Sequence, residues 1–188
     1  RQGGEALMFK RFIAAAALVA ALAVPVLAAE FTDEQLEGLA ARIESFDAAM
    51  KASDMSQVMD VVPPKVLDKI AANFNVTTEQ LIEATQQQMD QVLKDVNIVS
   101  FGMDLEAAEF LETADGTPYA LIPTETVMDM GAAGGKLKAS SSTLGLLDGE
   151  TWYLVRTEDA QQAALLKEVY PAFADVEFPA GSMEPVTE

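Results

Sequence analysis

Residues 144–156 read Leu-Gly-Leu-Leu-Asp-Gly-Glu-Thr-Trp-Tyr-Leu-Val-Arg. Two apolar runs meet there at Asp148-Gly149, and no other stretch narrows the fold so far. A two-residue hairpin turn of type I′ needs positive φ at both central positions, which Asp-Gly supplies at low strain. The stretch predicts an antiparallel pair with Leu147 opposite Glu150, Leu146 opposite Thr151, Gly145 opposite Trp152 and Leu144 opposite Tyr153. Alternation then puts Trp152, Leu154, Leu147 and Leu137 on one face, and Tyr153, Val155, Leu144 and Leu146 on the other. Both faces are apolar, whereas a sheet with one wet face alternates polar with apolar. One face is expected to pack on helices. The other requires the C-terminal segment or a partner subunit. Trp152, the single tryptophan, would lie over bare backbone at a glycine.

More strands precede this hairpin. Residues 97–102 and 105–113 are strand-like, and Asp115-Gly116 marks a second turn. Residues 118–130 are rich in β-branched and aromatic side chains. Pro118 and Pro123 cannot donate to a ladder, which predicts a strand that is partly an edge or bulged. Residues 131–135 read as a looser loop, and 136–147 with 151–156 complete a meander. Lys136 and Lys138 share a strand face beside Ser140 and Ser142, and they read as lysines protecting an edge.

The segment before the strands has helical period. Thr32 with Gln35, and Thr77 with Gln80, are two capping boxes, each with an apolar residue before the cap and a leucine after the box. Leu36, Leu39, Ile43, Phe46 and Met50 form one apolar stripe, and Leu81, Ile82, Met89, Val92, Leu93 and Val96 another. Between them Ser53 is expected to cap a short helix reaching about Val61. Pro63 stops it, and Pro64 opens the next helix, to about Asn73. After the sheet, residues 157–170 read as a capped helix stopped by Pro171. Residues 176–178 are expected to make one short extended contact.

Residues 8–28 have the layout of a secretory signal. Lys10 and Arg11 form the charged start, residues 12–24 the apolar run, and Val26-Leu27-Ala28 the small-residue cleavage spacing. Cleavage near Ala28 predicts a periplasmic or secreted bacterial protein, with no stable membrane insertion afterwards; the alternative is that the uncharged run 12–29 stays as an uncleaved membrane anchor. The organisation expected is residues 1–7 upstream of the fold, 8–28 signal, 29–178 one α+β domain, and 179–188 a disordered tail. In that domain N-terminal helices pack on a curved antiparallel meander, with a C-terminal helix.

Composition closes several chemistries. With no cysteine and no histidine, disulfides, thiol nucleophiles, imidazole bases and Ser-His-Asp triads are excluded. The formal charge of −18 repels phosphate backbones, so no nucleic-acid partner is expected.

Two stretches together carry a resemblance. Phe46-Asp-Ala-Ala-Met-Lys-Ala-Ser-Asp54 leads into a short helix and prolines, and the meander closes on Asp148-Gly-Glu-Thr-Trp-Tyr-Leu-Val. Over residues 32–157 this pattern resembles small exported bacterial proteins of the nuclear transport factor two-like superfamily, the cone-shaped α+β fold shared with ketosteroid isomerase and scytalone dehydratase. The resemblance implies a curved sheet wrapped on a helix, a pocket at the open end of the cone, and dimers through the sheet. It also implies enzymes built on a pocket Asp with a Tyr or acid. In this chain Asp104 or Asp129 would have to approach Tyr119, Tyr153 or Tyr170.

The residues leave three functions open: a non-catalytic protein binding a small apolar ligand or a protein partner, a cofactor-free lyase or isomerase, and a structural protein dimerising through its sheet. Tyr119, Trp152 and Tyr153 are the candidate pocket lining. No residue is assigned a catalytic role, and no cofactor or metal is expected. Asp104, Glu106, Glu109 and Glu112 offer oxygen ligands without a calcium-loop spacing. Met128 and Met130 offer thioethers, but their spacing equally suits a core.

Overall fold

The computed structural model describes residues 31–52, 54–131 and 134–186. The signal-like segment and Ser53 lie outside these residues. Both capping boxes form. The amide of Gln35 donates to Thr32 Oγ1 while Thr32 donates to Gln35 Oε1, and Thr77 with Gln80 repeats the arrangement. They open helices α1 (Asp33–Ala52) and α4 (Thr78–Asp95). Between them lie α2 (Met55–Met59), capped by Asp54, and α3 (Pro64–Phe74), with Pro64 in its first turn. Asn75 ends α3 in a left-handed conformation, φ 55°.

Six strands form one antiparallel sheet: β1 (Asn97–Met103), β2 (Glu109–Glu112), β3 (Pro118–Asp129), β4 (Lys136–Asp148), β5 (Thr151–Arg156) and β6 (Ser182–Pro185). The long β3–β4 hairpin is its spine. Strands β1 and β2 pair with successive halves of β3, and β6 and β5 with successive halves of β4. The α+β class, with helices before and after a curled sheet, is the one the sequence predicts.

The hairpin differs from prediction by one step. Asp148 pairs with Thr151, Leu147 with Trp152 and Leu146 with Tyr153, so the turn residues are Gly149 and Glu150. Gly149 has φ +67° and Glu150 has no positive φ, the pattern of a type II′ turn, which wants glycine at its first central position. Moving the turn by one residue changes every partner yet preserves both faces. Trp152 does lie over a glycine, but it is Gly38 of α1 rather than Gly145. A Cβ built on Gly38 would sit 3.2 Å from the indole Cδ1. Gly145 receives α1 instead, since its Cβ would lie 3.1 Å from Leu39 Cδ1.

Strand β3 is central rather than an edge, and its prolines fit without breaking the ladder. Pro123 sits between the pairing of β1, which ends at Thr124, and that of β2, which begins at Leu121. Its carbonyl accepts from the Asp104 amide on that side. The missing N–H of a strand residue points the same way as its carbonyl, into this gap. The expected strand 105–113 shortens to β2, because Asp104 folds back to accept the Ala107 amide at 3.1 Å. On β1 an irregularity between Ile98 and Ser100 leaves Val99 unpaired and half-exposed.

The sheet is buried on both faces over one half only. On one face Leu39, Val61, Ala120, Ile122, Trp152 and Leu154 form a core with α1. On the other, Tyr119, Leu121, Leu144, Leu146 and Val155 pack with Leu166 and Phe173. The cover of that second face comes from α5 (Ala160–Val169), the 3₁₀ turn Pro171–Phe173, Val176 and Phe178. The C-terminal segment, of the two covers the sequence allowed, is therefore in place. Asp159 caps α5 by accepting the amides of Gln161 and Gln162. Residues 182–185, expected in a disordered tail, instead pair with Leu137–Ser140. Among the described residues no helix is long and apolar enough to cross a membrane.

Candidate functional site

The three candidate aromatics do not meet. Tyr119 lies on the face covered by the C-terminal segment, edge-on to Phe173 at 5.3 Å. Burial, and then the charge of Glu109, raise its pKa above the ordinary tyrosine value. Trp152 lies on the opposite face, stacked on Phe31 at 5.9 Å. Tyr153 is half-buried on β5, with the Arg42 guanidinium 5.8 Å from its ring centre. Neighbouring residues on a strand face opposite ways, so Trp152 and Tyr153 cannot share a pocket wall. Tyr119 and Trp152 are both core residues.

Asp104 and Asp129 are turn-forming acids. Asp104 holds the Ala107 amide and Asp129 the Gly131 amide, at 2.9 Å. The acid–tyrosine contact occurs elsewhere. Tyr170, at the end of α5, donates its hydroxyl to Asp148 Oδ2 at 2.9 Å. Lys65 of α3 approaches both Asp148 oxygens, at 3.0 and 2.7 Å, and lies 5.3 Å from the Tyr170 ring centre. The Lys65 ammonium holds the Asp148 carboxyl below its usual range, with the Tyr170 hydroxyl assisting. Burial first, and then Asp148, push the Tyr170 phenol well above its ordinary value. A general acid or base works best with a pKa near the operating pH. This pair is driven the other way, with the acid kept ionised and the phenol kept protonated. Its evident work is mechanical: it ties α3 and α5 to the β4–β5 turn. Sequence reasoning missed the cluster because Lys65 is 83 residues from Asp148.

The cluster predicts a pH profile. Asp148 has a depressed folded pKa, so its contribution is present above the unfolded value of about 3.9 and is lost as pH falls through the folded pKa. Tyr170 has a raised folded pKa, so its contribution is present below about 10 and is lost as pH rises further. Urea denaturation across the pH range should show Asp148→Asn flattening the acid limb and Tyr170→Phe the alkaline limb. Tyr170→Phe should cost about 1.5–3 kcal/mol at neutral pH, the value of a hydrogen bond to a charged acceptor. Unchanged limbs in both variants would remove the cluster from the stability account.

The carboxylates at Asp104, Glu106, Glu109 and Glu112 are divided between the turn and β2, and no group of three or more carboxylates placed to hold a metal ion occurs among the described residues. Space opens instead at the half of the sheet remote from the β4–β5 turn. A cleft of about 580 Å³ lies between the C-terminal ends of α1 and α4 and strand β1. Met50, Leu93, Val96, Ile98, Val99 and Phe101 supply its apolar lining, and Asp47, Lys51, Asn97 and Ser100 its polar groups. From Ile98 an apolar row crosses the sheet through Met128 and Leu137 to Pro185. The next row is Phe101, Thr126, Ala139 and Met183. The opposite face of this half carries Glu125, Lys138, Ser140 and Ser142, an ordinary wetted face, with Lys138 paired to Glu125 at 2.6 Å. A shallower depression of about 700 Å³ opens where β1 gives way to β2, with Asp104, Glu106 and Glu125 among its lining.

No protein-family model, curated protein or solved structure matches this chain.

Proposed function

We propose that the protein is an exported, non-catalytic binding protein that holds a small apolar ligand in the cleft between α1, α4 and β1. The observation that carries this reading is a cleft of about 580 Å³, within the roughly 300–1,000 Å³ typical of small-molecule sites, where three elements bring half-buried apolar side chains together with polar ones. Its polar groups would orient a ligand, and no acid–tyrosine pair is among its lining. The Asp148–Tyr170 contact lies among the tethering groups of the β4–β5 turn. Export is supported by the charged, apolar and small-residue order of residues 8–28. Kinship with the nuclear transport factor two-like superfamily is part of the proposal, supported by a long α1 against one face of a curled sheet.

The neutral probe N-phenylnaphthylamine, which brightens in apolar surroundings, tests the cleft. The wild-type chain should show saturable enhancement. Ile98→Glu should weaken it at least about tenfold by placing a charge on the lining. Val92→Glu, on the exposed part of α4, should leave it intact. Absence of saturable binding, or equal binding by Ile98→Glu, would overturn the assignment. Mass spectrometry of protein from the cell envelope should find an N-terminus near Ala29, and an intact residue 8 would contradict export with cleavage.

A further inference from the structure

The two strands lining the outer edge of β4 are held very differently. Strand β5 buries Trp152, Leu154 and Val155, and its outer edge is covered where the Leu154 amide donates to the Val61 carbonyl. Strand β6 buries nothing: all four of its residues are exposed, and so are residues 179–181 before it. It is held by its ladder to Leu137–Ser140, by the Val186 amide on the Lys136 carbonyl, and by the charge of Glu184 opposite Lys138. A strand without buried side chains opens at low free energy. Its departure would leave a row of unpaired amides and carbonyls, a template for another extended chain.

The geometry points to the β4 edge from Lys136 to Ser140 as an acceptor for an extended peptide, with β6 as its displaceable resident. The register defines what fits. A residue opposite Lys138 should carry a carboxylate, as Glu184 does, and those opposite Ala139 and Leu137 should be apolar, as Met183 and Pro185 are. Lys138 is paired to Glu125 of β3, on the far side of β4, and the charge of Glu184 acts on it more weakly from the β6 side. Lys138, read from sequence as edge protection, is the cation that a carboxylate on the occupant would meet. The edge joins the cleft through the row from Ile98 to Pro185 but shares no lining residue with it, and either assignment can fail alone.

The test uses the full chain and a fluorescent peptide spanning residues 180–186. In one variant the resident strand is unseated by Gly181→Val with Glu184→Lys. A Cβ at residue 181 would meet Glu158 Cβ at 3.1 Å and the Ser140 carbonyl at 3.5 Å, and the second change sets like charges opposite each other. Fluorescence anisotropy should show the peptide binding this variant at least about tenfold more tightly than the wild-type chain, where β6 competes. A peptide with lysine in place of its glutamate should lose most of that gain. In the wild-type chain, hydrogen exchange at residues 183–186 should be at least about a hundredfold faster than at Leu154 and Val155. Equal peptide binding by both chains, no binding by the variant, or equal exchange protection of β6 and β5 would each overturn the proposal.

Discussion

Replacing Phe173 with alanine is expected to lower the unfolding free energy by about 3–5 kcal/mol, the range for a large aromatic removed from a packed core. Phe173 is fully buried and comes from a three-residue 3₁₀ turn rather than a long element. Its ring packs edge-on to Tyr119 at 5.3 Å and stacks near Phe178 at 6.3 Å. Beneath it lie Leu121, Leu144, Leu146 and Val155 of the sheet. Tyr170 of the same cover is held in place by Asp148, so collapse around an alanine would be incomplete and the cavity term would persist. A domain of this kind is stable by only 5–15 kcal/mol in general, so the variant should show a large fall in urea midpoint. The wild-type midpoint should not depend on protein concentration, because the chain's own segment supplies the cover. A loss under about 1 kcal/mol would mean that the second sheet face is covered some other way.

Trp152→Ala should be comparably damaging from the opposite side, at about 3–5 kcal/mol. The indole is 4% exposed and fills the space between β5, Phe31 and the bare backbone at Gly38. Removing it leaves a void bounded by helix backbone, which cannot move inward without dragging Leu39 off Gly145 and Ile122. Circular dichroism should follow this unfolding, because the fluorescent reporter is the residue removed. Trp152→Phe should recover part of the loss by refilling part of the volume. If Trp152→Ala unfolds at the wild-type midpoint, α1 does not seat on the sheet as described.

How far the sequence shows these features depends on how local their causes are. Both capping boxes are legible because Thr32 and Gln35, or Thr77 and Gln80, satisfy each other within one turn of chain. The β4–β5 hairpin is legible in its faces but not in its turn. Asp148-Gly149 and Gly149-Glu150 both contain the glycine that a primed turn needs, and they differ only in type. The turn type that forms lets Asp148 leave the turn, where Lys65 and Tyr170 hold it. That choice depends on two residues distant in sequence, so the local pattern could not make it. The central position of β3 was masked by Pro123, whose missing donor falls in a gap between two other strands. Strand β6 had no signal to read, since an exposed strand carries no apolar alternation. For the candidate site, Ile98, Leu93 and Val96 were visible as parts of strands and stripes. Their convergence with Met50 and Phe101 is a matter of where α1 and α4 end.

The most direct measurement of the functional reading is a ¹⁵N–¹H spectral titration of the full chain with N-phenylnaphthylamine. Saturable shifts should centre on Met50, Leu93, Val96, Ile98 and Phe101 and fade along the row toward Leu137, with Lys65, Asp148 and Tyr170 unmoved. Shifts centred on the Asp148–Tyr170 contact, or no saturable shifts at the cleft, would contradict that reading.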